Sequence, residues 1–119
     1  MPKRVLVVDD SNLMRHRITQ CLNDAGHEVV AKAKDGDEAI QLYREMHPDV
    51  VTMDITMRGK DGVSAAQEIL AIDPSASIIF YTLLDASANV SARLQTVRVL
   101  KLIRKGDEDD LLQTLAAMG

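Results

Sequence analysis

The acidic residues of this 119-residue chain best placed to do chemistry are Asp9, Asp10 and Asp54. Each follows directly on a short apolar run, Val5-Leu6-Val7-Val8 before the pair and Val50-Val51-Thr52-Met53 before Asp54. A further run, Ile78-Ile79-Phe80-Tyr81, ends in Thr82, and a stretch within 97–104 leads to Arg104-Lys105. Runs of this length and composition are buried strands. In open parallel sheets, ligands sit outside the carboxyl ends of the strands. Three carboxylates, a hydroxyl and a cation therefore converge on one rim. Gathering three carboxylates is costly unless a cation neutralises them. A hard dication does this, and Mg2+ fits because it keeps part of its shell for water and substrate phosphate. A carboxylate beside such an ion can act as a nucleophile toward phosphorus, with Thr82 hydrogen-bonding one phosphoryl oxygen and a lysine neutralising another. Taken singly, Asp9 or Asp10 reads equally well as a cap on the first helix. Three acids on one rim do not. Scattered acids, or a pocket filled by a fixed protein cation, would contradict this reading.

The intervening segments supply what holds the strands. Leu13, Met14, Ile18, Cys21, Leu22 and Ala25 recur at helical spacing, with Gly26 at the C-terminal stop. A weaker strand spans His27 to Ala33, and Asp35-Gly36 marks a turn. A helix from about Asp37 to Met46 buries Ala39, Ile40 and Tyr43. After the polar loop Thr56 to Gly62, another helix carries Val63, Ala66, Ile69 and Leu70 on one face. A short helix is expected near 86–94, and Asp107 caps a last helix whose first turn is acidic. Alternation of five strands with five helices predicts a doubly wound five-stranded parallel sheet, flavodoxin-like, in (βα)5 order. Lys32 and Lys101 place the second and fifth strands at the edges. No linker or repeat interrupts the chain, so residues 1–119 read as a single domain.

Composition narrows the function. A net charge of −4 without a basic cluster, 3% aromatic residues and no tryptophan argue against direct nucleic-acid binding. No apolar run reaches the roughly 20 residues of a membrane span, and the start lacks a signal-peptide core. A lone cysteine, Cys21, fits a reducing compartment, so a cytoplasmic location is expected. His16, His27 and His47 fall on separate elements without ligand spacing and read as surface or cap residues. Cys21, Met14, Met46 and Met53 read as core.

With these residues in view, the segments VLVVDDSNLMR, DVVTMDITMRGKDG and IIFYT resemble the receiver domains of two-component response regulators, of the chemotaxis-regulator kind. The likeness covers essentially the whole chain. It implies Asp54 as phosphoacceptor and Asp9 and Asp10 as the acidic pair positioning Mg2+, with the main-chain carbonyl of Thr56 as a further ligand. Thr82 becomes the switch hydroxyl. Lys105 becomes the phosphoryl-binding cation, with Arg104 as its rival. The phosphodonor implied is a phosphohistidine on a sensor histidine kinase or phosphotransfer protein. The output is an unknown downstream protein or a tethered domain, and a homodimer is left open. On this reading the chain is a phosphoacceptor signalling domain, not an enzyme, in phosphorelay signal transduction.

Several positions depart from the family pattern. Arg58 replaces a usual proline, Lys60 an apolar residue, and Leu83 a small residue whose replacement is expected to narrow access to Asp54. Gly106 stands where proline with a cis bond is usual, and Leu102 or Lys101 where an aromatic commonly partners the switch threonine. Leu83, Arg58 and Gly106 favour an alternative, a degenerate receiver acting as a phosphorylation-independent interaction module. An aspartyl-nucleophile phosphatase would want an aspartate at Thr56, and a flavodoxin a hydroxyl-rich phosphate loop where Asp9-Asp10 stand.

Overall fold

The computed structural model describes residues 2–83 and 92–118. Five strands, β1 (Arg4–Val8), β2 (Glu28–Ala33), β3 (Val50–Met53), β4 (Ile78–Thr82) and β5 (Lys101–Arg104), form one parallel sheet in the order β2-β1-β3-β4-β5. The helices are α1 (Asn12–Asp24), α2 (Gly36–Met46), α3 (Gly62–Ile72) and α4 (Glu108–Ala117). The expected doubly wound, flavodoxin-like arrangement is present, with β2 and β5 at the edges as their lysines indicated. The greater part of the helix expected near 86–94 lies outside the described residues; residues 92–94 are helical.

The continuous apolar strands are explained by burial on both faces. In β1, Leu6 and Val8 face a core completed by Ala39, Ile40 and Tyr43 of α2 and Val63, Ala66 and Ile69 of α3. Val5 and Val7 face the opposite core, with Ile18 and Leu22 of α1 and Leu111 and Leu115 of α4. The central strands β3 and β4 are buried throughout.

Local chemistry sets the helix ends. Ser11, not Asp9 or Asp10, is the N-cap of α1, accepting a hydrogen bond from the Met14 amide. Asp35, Asp61 and Asp107 cap the other helices in the same way. His47 ends α2 in the left-handed conformation, φ 45°, while His27 Nδ1 accepts from the Lys3 amide. Both histidines therefore have structural roles. The periodicity overestimated the buried face of α1. Leu13 is 67% exposed, and Met14 and Cys21 are only partly buried, leaving Ile18 and Leu22 as the buried residues of the helix. Met46 is likewise partly buried, whereas Met53 is fully enclosed. Burial, with Glu108 beside it, pushes the Cys21 thiol up to about 11, so it stays protonated at neutral pH.

Candidate functional site

The strand order reverses between β1 and β3, where a doubly wound sheet opens a crevice at its carboxyl edge. The ladder carries the acids there in register. Val8 pairs with Met53, the Asp54 amide donates to the Val8 carbonyl at 3.0 Å, and the Asp9 amide donates to Ala33 at 3.1 Å. One strand further on, the Lys105 amide donates to the Thr82 carbonyl at 2.8 Å, extending the β4–β5 ladder past Arg104. Asp9, Asp54 and Thr82 are all buried, at 0%, 5% and 3% exposure.

Side-chain contacts complete the cluster. Thr82 Oγ1 donates to Asp54 Oδ1 at 3.0 Å. Lys105 Nζ lies 3.1 Å from Asp54 Oδ2 and 2.8 Å from Asp9 Oδ2. Asp9 Oδ1 accepts from the Ser11 amide at 2.9 Å. Asp10 stands at the outer edge, where its Oδ2 accepts from the Arg58 amide at 3.3 Å and lies 3.8 Å from the Arg58 guanidinium. Lys105 rather than Arg104 reaches the acids; Arg104 is exposed. Thr56 is exposed on the loop directly after Asp54.

Burial raises the Asp54 carboxyl above its ordinary value; the Lys105 ammonium opposes this without cancelling it, and the charge of Asp9 adds to the rise. For Lys105, burial disfavours the charged form, but Asp9 and Asp54 outweigh it and hold the amine above its usual range. The lysine is thus a fixed cation inside the pocket, yet it does not fill the site's demand for positive charge. Carboxylate oxygens of Asp9, Asp10 and Asp54 lie within 4.8 Å of one another, and one ammonium cannot neutralise three of them. Asp9 Oδ2, wholly buried, makes no aligned hydrogen bond and has only the ion pair with Lys105. An all-oxygen set of three carboxylates facing a single ammonium fits a hard divalent cation.

Neighbouring residues hold this geometry. A Cβ on Gly62 would stand 2.0 Å from the Asp54 carbonyl oxygen, so only glycine admits this approach of α3 to the loop. Asp61, the α3 cap, is also gripped by Arg93 through two bonds of 2.8 and 3.0 Å. Lys60 is turned away from the acids, paired with Asp37 and Glu68. Gly106 adopts φ 97° and donates its amide to Tyr81 Oη at 2.9 Å, a bond proline could not make. Leu83 is 69% exposed and lines an open groove with Met14, Cys21, Tyr81 and Lys105. The Ser11 cap was foreshadowed by a serine just before the helix. The Tyr81–Gly106, Arg93–Asp61 and Arg58–Asp10 contacts join distant segments and leave no periodic trace in the sequence.

A doubly wound sheet with an acid cluster, a buried hydroxyl and a lysine at its switch point defines a class of small α/β signalling domains, and the comparisons agree. Residues 5–116 match the response regulator receiver domain family. The chain is 41% identical over 113 residues to the chemotaxis protein CheY of Thermotoga maritima, covering 95% of this chain and 87% of that protein. It is 40% identical over 117 residues to CheY of Bacillus subtilis, covering 98% and 90%. Its fold is similar to that of a chain in the CheX–CheY–BeF3–Mg2+ complex from Borrelia burgdorferi, with a TM-score of 0.88 and 29% identity over 98% of this chain and 89% of that one. The chain belongs to the receiver domains of response regulators.

Proposed function

We propose that this chain, read as one receiver domain over residues 1–119, accepts a phosphoryl group on Asp54 in a two-component phosphorelay. The observation that carries this reading is the bracketing of one buried carboxylate by three partners from separate strands: Thr82 on Oδ1, Lys105 on Oδ2, and Asp9 across the lysine. A carboxylate oxygen of Asp54 attacks phosphorus; the bond from phosphorus to the donor's imidazole nitrogen breaks, and the imidazole leaves with the electron pair. Thr82 and Lys105 would then bond the phosphoryl oxygens of the resulting acyl phosphate. Asp9, Asp10, Asp54 and the Thr56 carbonyl are the groups that would hold Mg2+, which when bound supplies charge neutralisation for the incoming phosphate.

The donor is read as a phosphohistidine on a sensor histidine kinase or phosphotransfer protein. Once phosphorylated, Asp54 hands its bonds with Thr82 and Lys105 over to the phosphoryl oxygens, which alters the surface around β4 and β5 that a downstream protein reads. The Borrelia relative, crystallised with CheX, BeF3 and Mg2+, supports a protein partner and an ion of this kind. The chain would then be a phosphoacceptor that assists its own modification, acting in the cytoplasm; no helix among the described residues is long and apolar enough to cross a membrane. Incubation with acetyl phosphate and Mg2+ followed by intact-mass measurement tests the reading. One phosphoryl group should appear in the parent and none in Asp54→Asn or in excess chelator. An adduct that survives Asp54→Asn would remove Asp54 from this role.

A further inference from the structure

Besides the buried Lys105, Arg58 sets a positive charge directly against one of the three acids, opposing the ion that the cluster is fitted to receive. It stands on the loop between β3 and α3, and both its amide and its guanidinium face the same atom, Asp10 Oδ2, at 3.3 and 3.8 Å. Asp10 is also the least buried of the three acids, with a side chain 27% exposed. It is therefore the acid an ion from solvent meets first. The other cation of this loop, Lys60, is spent on Asp37 and Glu68 and takes no part. On the outer side of Asp10 lies a cavity of about 370 Å³ lined by Asn12, Arg15, Lys34, Asp35 and Arg58. Three of these five are cations, so the entrance is far less negative than the acids behind it suggest.

We infer that Arg58 is a tethered counter-cation for Asp10 that competes with the divalent ion and weakens its binding. This rests on the reading of Asp9, Asp10 and Asp54 as the ion's ligands. An exposed arginine–carboxylate pair by itself contributes little, and Arg58 is 91% exposed. Its effect on a dication is larger for two reasons. The ion must displace the guanidinium from the carboxylate it binds, and a doubly charged ion then sits beside that same positive charge, with twice the repulsion of a univalent one. Both contributions pass through solvent and are screened by salt. Arg58 thereby makes occupancy of the site respond to ion concentration, where a neutral residue would leave it more nearly saturated.

The test is titration of the isotopically labelled chain with MgCl2, followed by the backbone amide shifts of Asp10 and its neighbours. It is run on the parent, Arg58→Gln, Arg58→Glu and Lys60→Gln, at low ionic strength and again at high. Arg58→Gln should tighten Mg2+ binding by about three- to tenfold and Arg58→Glu by more, both gains shrinking with salt. Lys60→Gln removes an equal charge from the same loop and should change affinity by less than about twofold. Unchanged affinity in both Arg58 variants, with the parent binding normally, overturns the inference alone. A gain in Lys60→Gln equal to that in Arg58→Gln also overturns it, since net charge rather than local competition would then be responsible. Absence of Mg2+ binding in every variant overturns both the inference and the metal reading beneath it.

Discussion

Lys105 holds two buried acids at once, at 2.8 and 3.1 Å, so its loss exposes both to uncompensated burial. Without metal, Lys105→Met should destabilise the fold by about 3 kcal/mol, the scale of breaking a buried ion pair from one side. Asp54→Asn in the same chain should recover part of that loss, which a double-mutant cycle by chemical denaturation measures. The Asp54 carboxyl itself is raised above 3.8, first by burial. The folded chain therefore binds this proton more readily than the unfolded chain, and ionising it works against folding. In metal-free buffer at neutral pH, Asp54→Asn should thus be the more stable protein by roughly 1 kcal/mol. Its advantage should shrink as pH falls through the window just above 3.8, and denaturation across that range checks the sign. Lys105 runs the other way. Its amine is raised above 10.5, so its contribution is complete below that pH and fades only as pH rises beyond it.

The elements place these residues through backbone ladders and close approaches, and their failures should be correspondingly sharp. Gly62→Ala sets a Cβ 2.0 Å from the Asp54 carbonyl oxygen, backbone that cannot yield cheaply. It should cost roughly 3 kcal/mol or more. Gly59→Ala, with φ 78° but open space around it, should cost only about 1 kcal/mol. Comparing the two melting curves separates collision from backbone preference. Tyr81→Phe leaves the Gly106 amide without its side-chain acceptor; a loss of about 1 kcal/mol is expected, with slower phosphorylation because Lys105 is the adjacent residue. Most of this architecture was legible in the sequence. The strand runs are apolar because both faces are covered, and their acidic or hydroxyl ends follow directly, so Asp9, Asp10, Asp54 and Thr82 could be placed on one rim. Arg104 and Lys105 could not be told apart, because β5 is a short edge strand with too little alternation to fix which residue turns inward. In the structure it is the Lys105 ammonium that lies against Asp9 and Asp54, while Arg104 is exposed. The exposed Leu13 misled for a related reason. Helical periodicity identifies a stripe but not how far along the helix the sheet extends beneath it.

At the scale of the whole molecule, the cluster links stability to the ion it would bind. A ligand that binds only the folded state stabilises it by about 2.7 kcal/mol at a hundredfold excess over its dissociation constant. Thermal melts of the parent should therefore move upward with millimolar Mg2+, and those of Asp10→Asn should move little. A melting temperature indifferent to Mg2+ in the parent would speak against the ligand assignment. The same site sits at the carboxyl ends of the paired strands β1 and β3, where the strand order reverses, and Thr82 and Lys105 reach it from β4 and just beyond β5. On the proposed reading, a covalent change at Asp54 would reach the β4–β5 side of the molecule through Thr82 and Lys105, the two residues it contacts there.

Chemical trapping of the modified residue tests the assignment of Asp54 as phosphoacceptor most directly. An acyl phosphate on aspartate is reduced by borohydride to homoserine, whereas a free carboxylate is not. After treatment with acetyl phosphate and Mg2+, borohydride reduction and peptide sequencing should find homoserine at position 54 and aspartate intact at positions 9 and 10. Homoserine at position 9 or 10, or aspartate recovered at all three while phosphate is still incorporated, would contradict it.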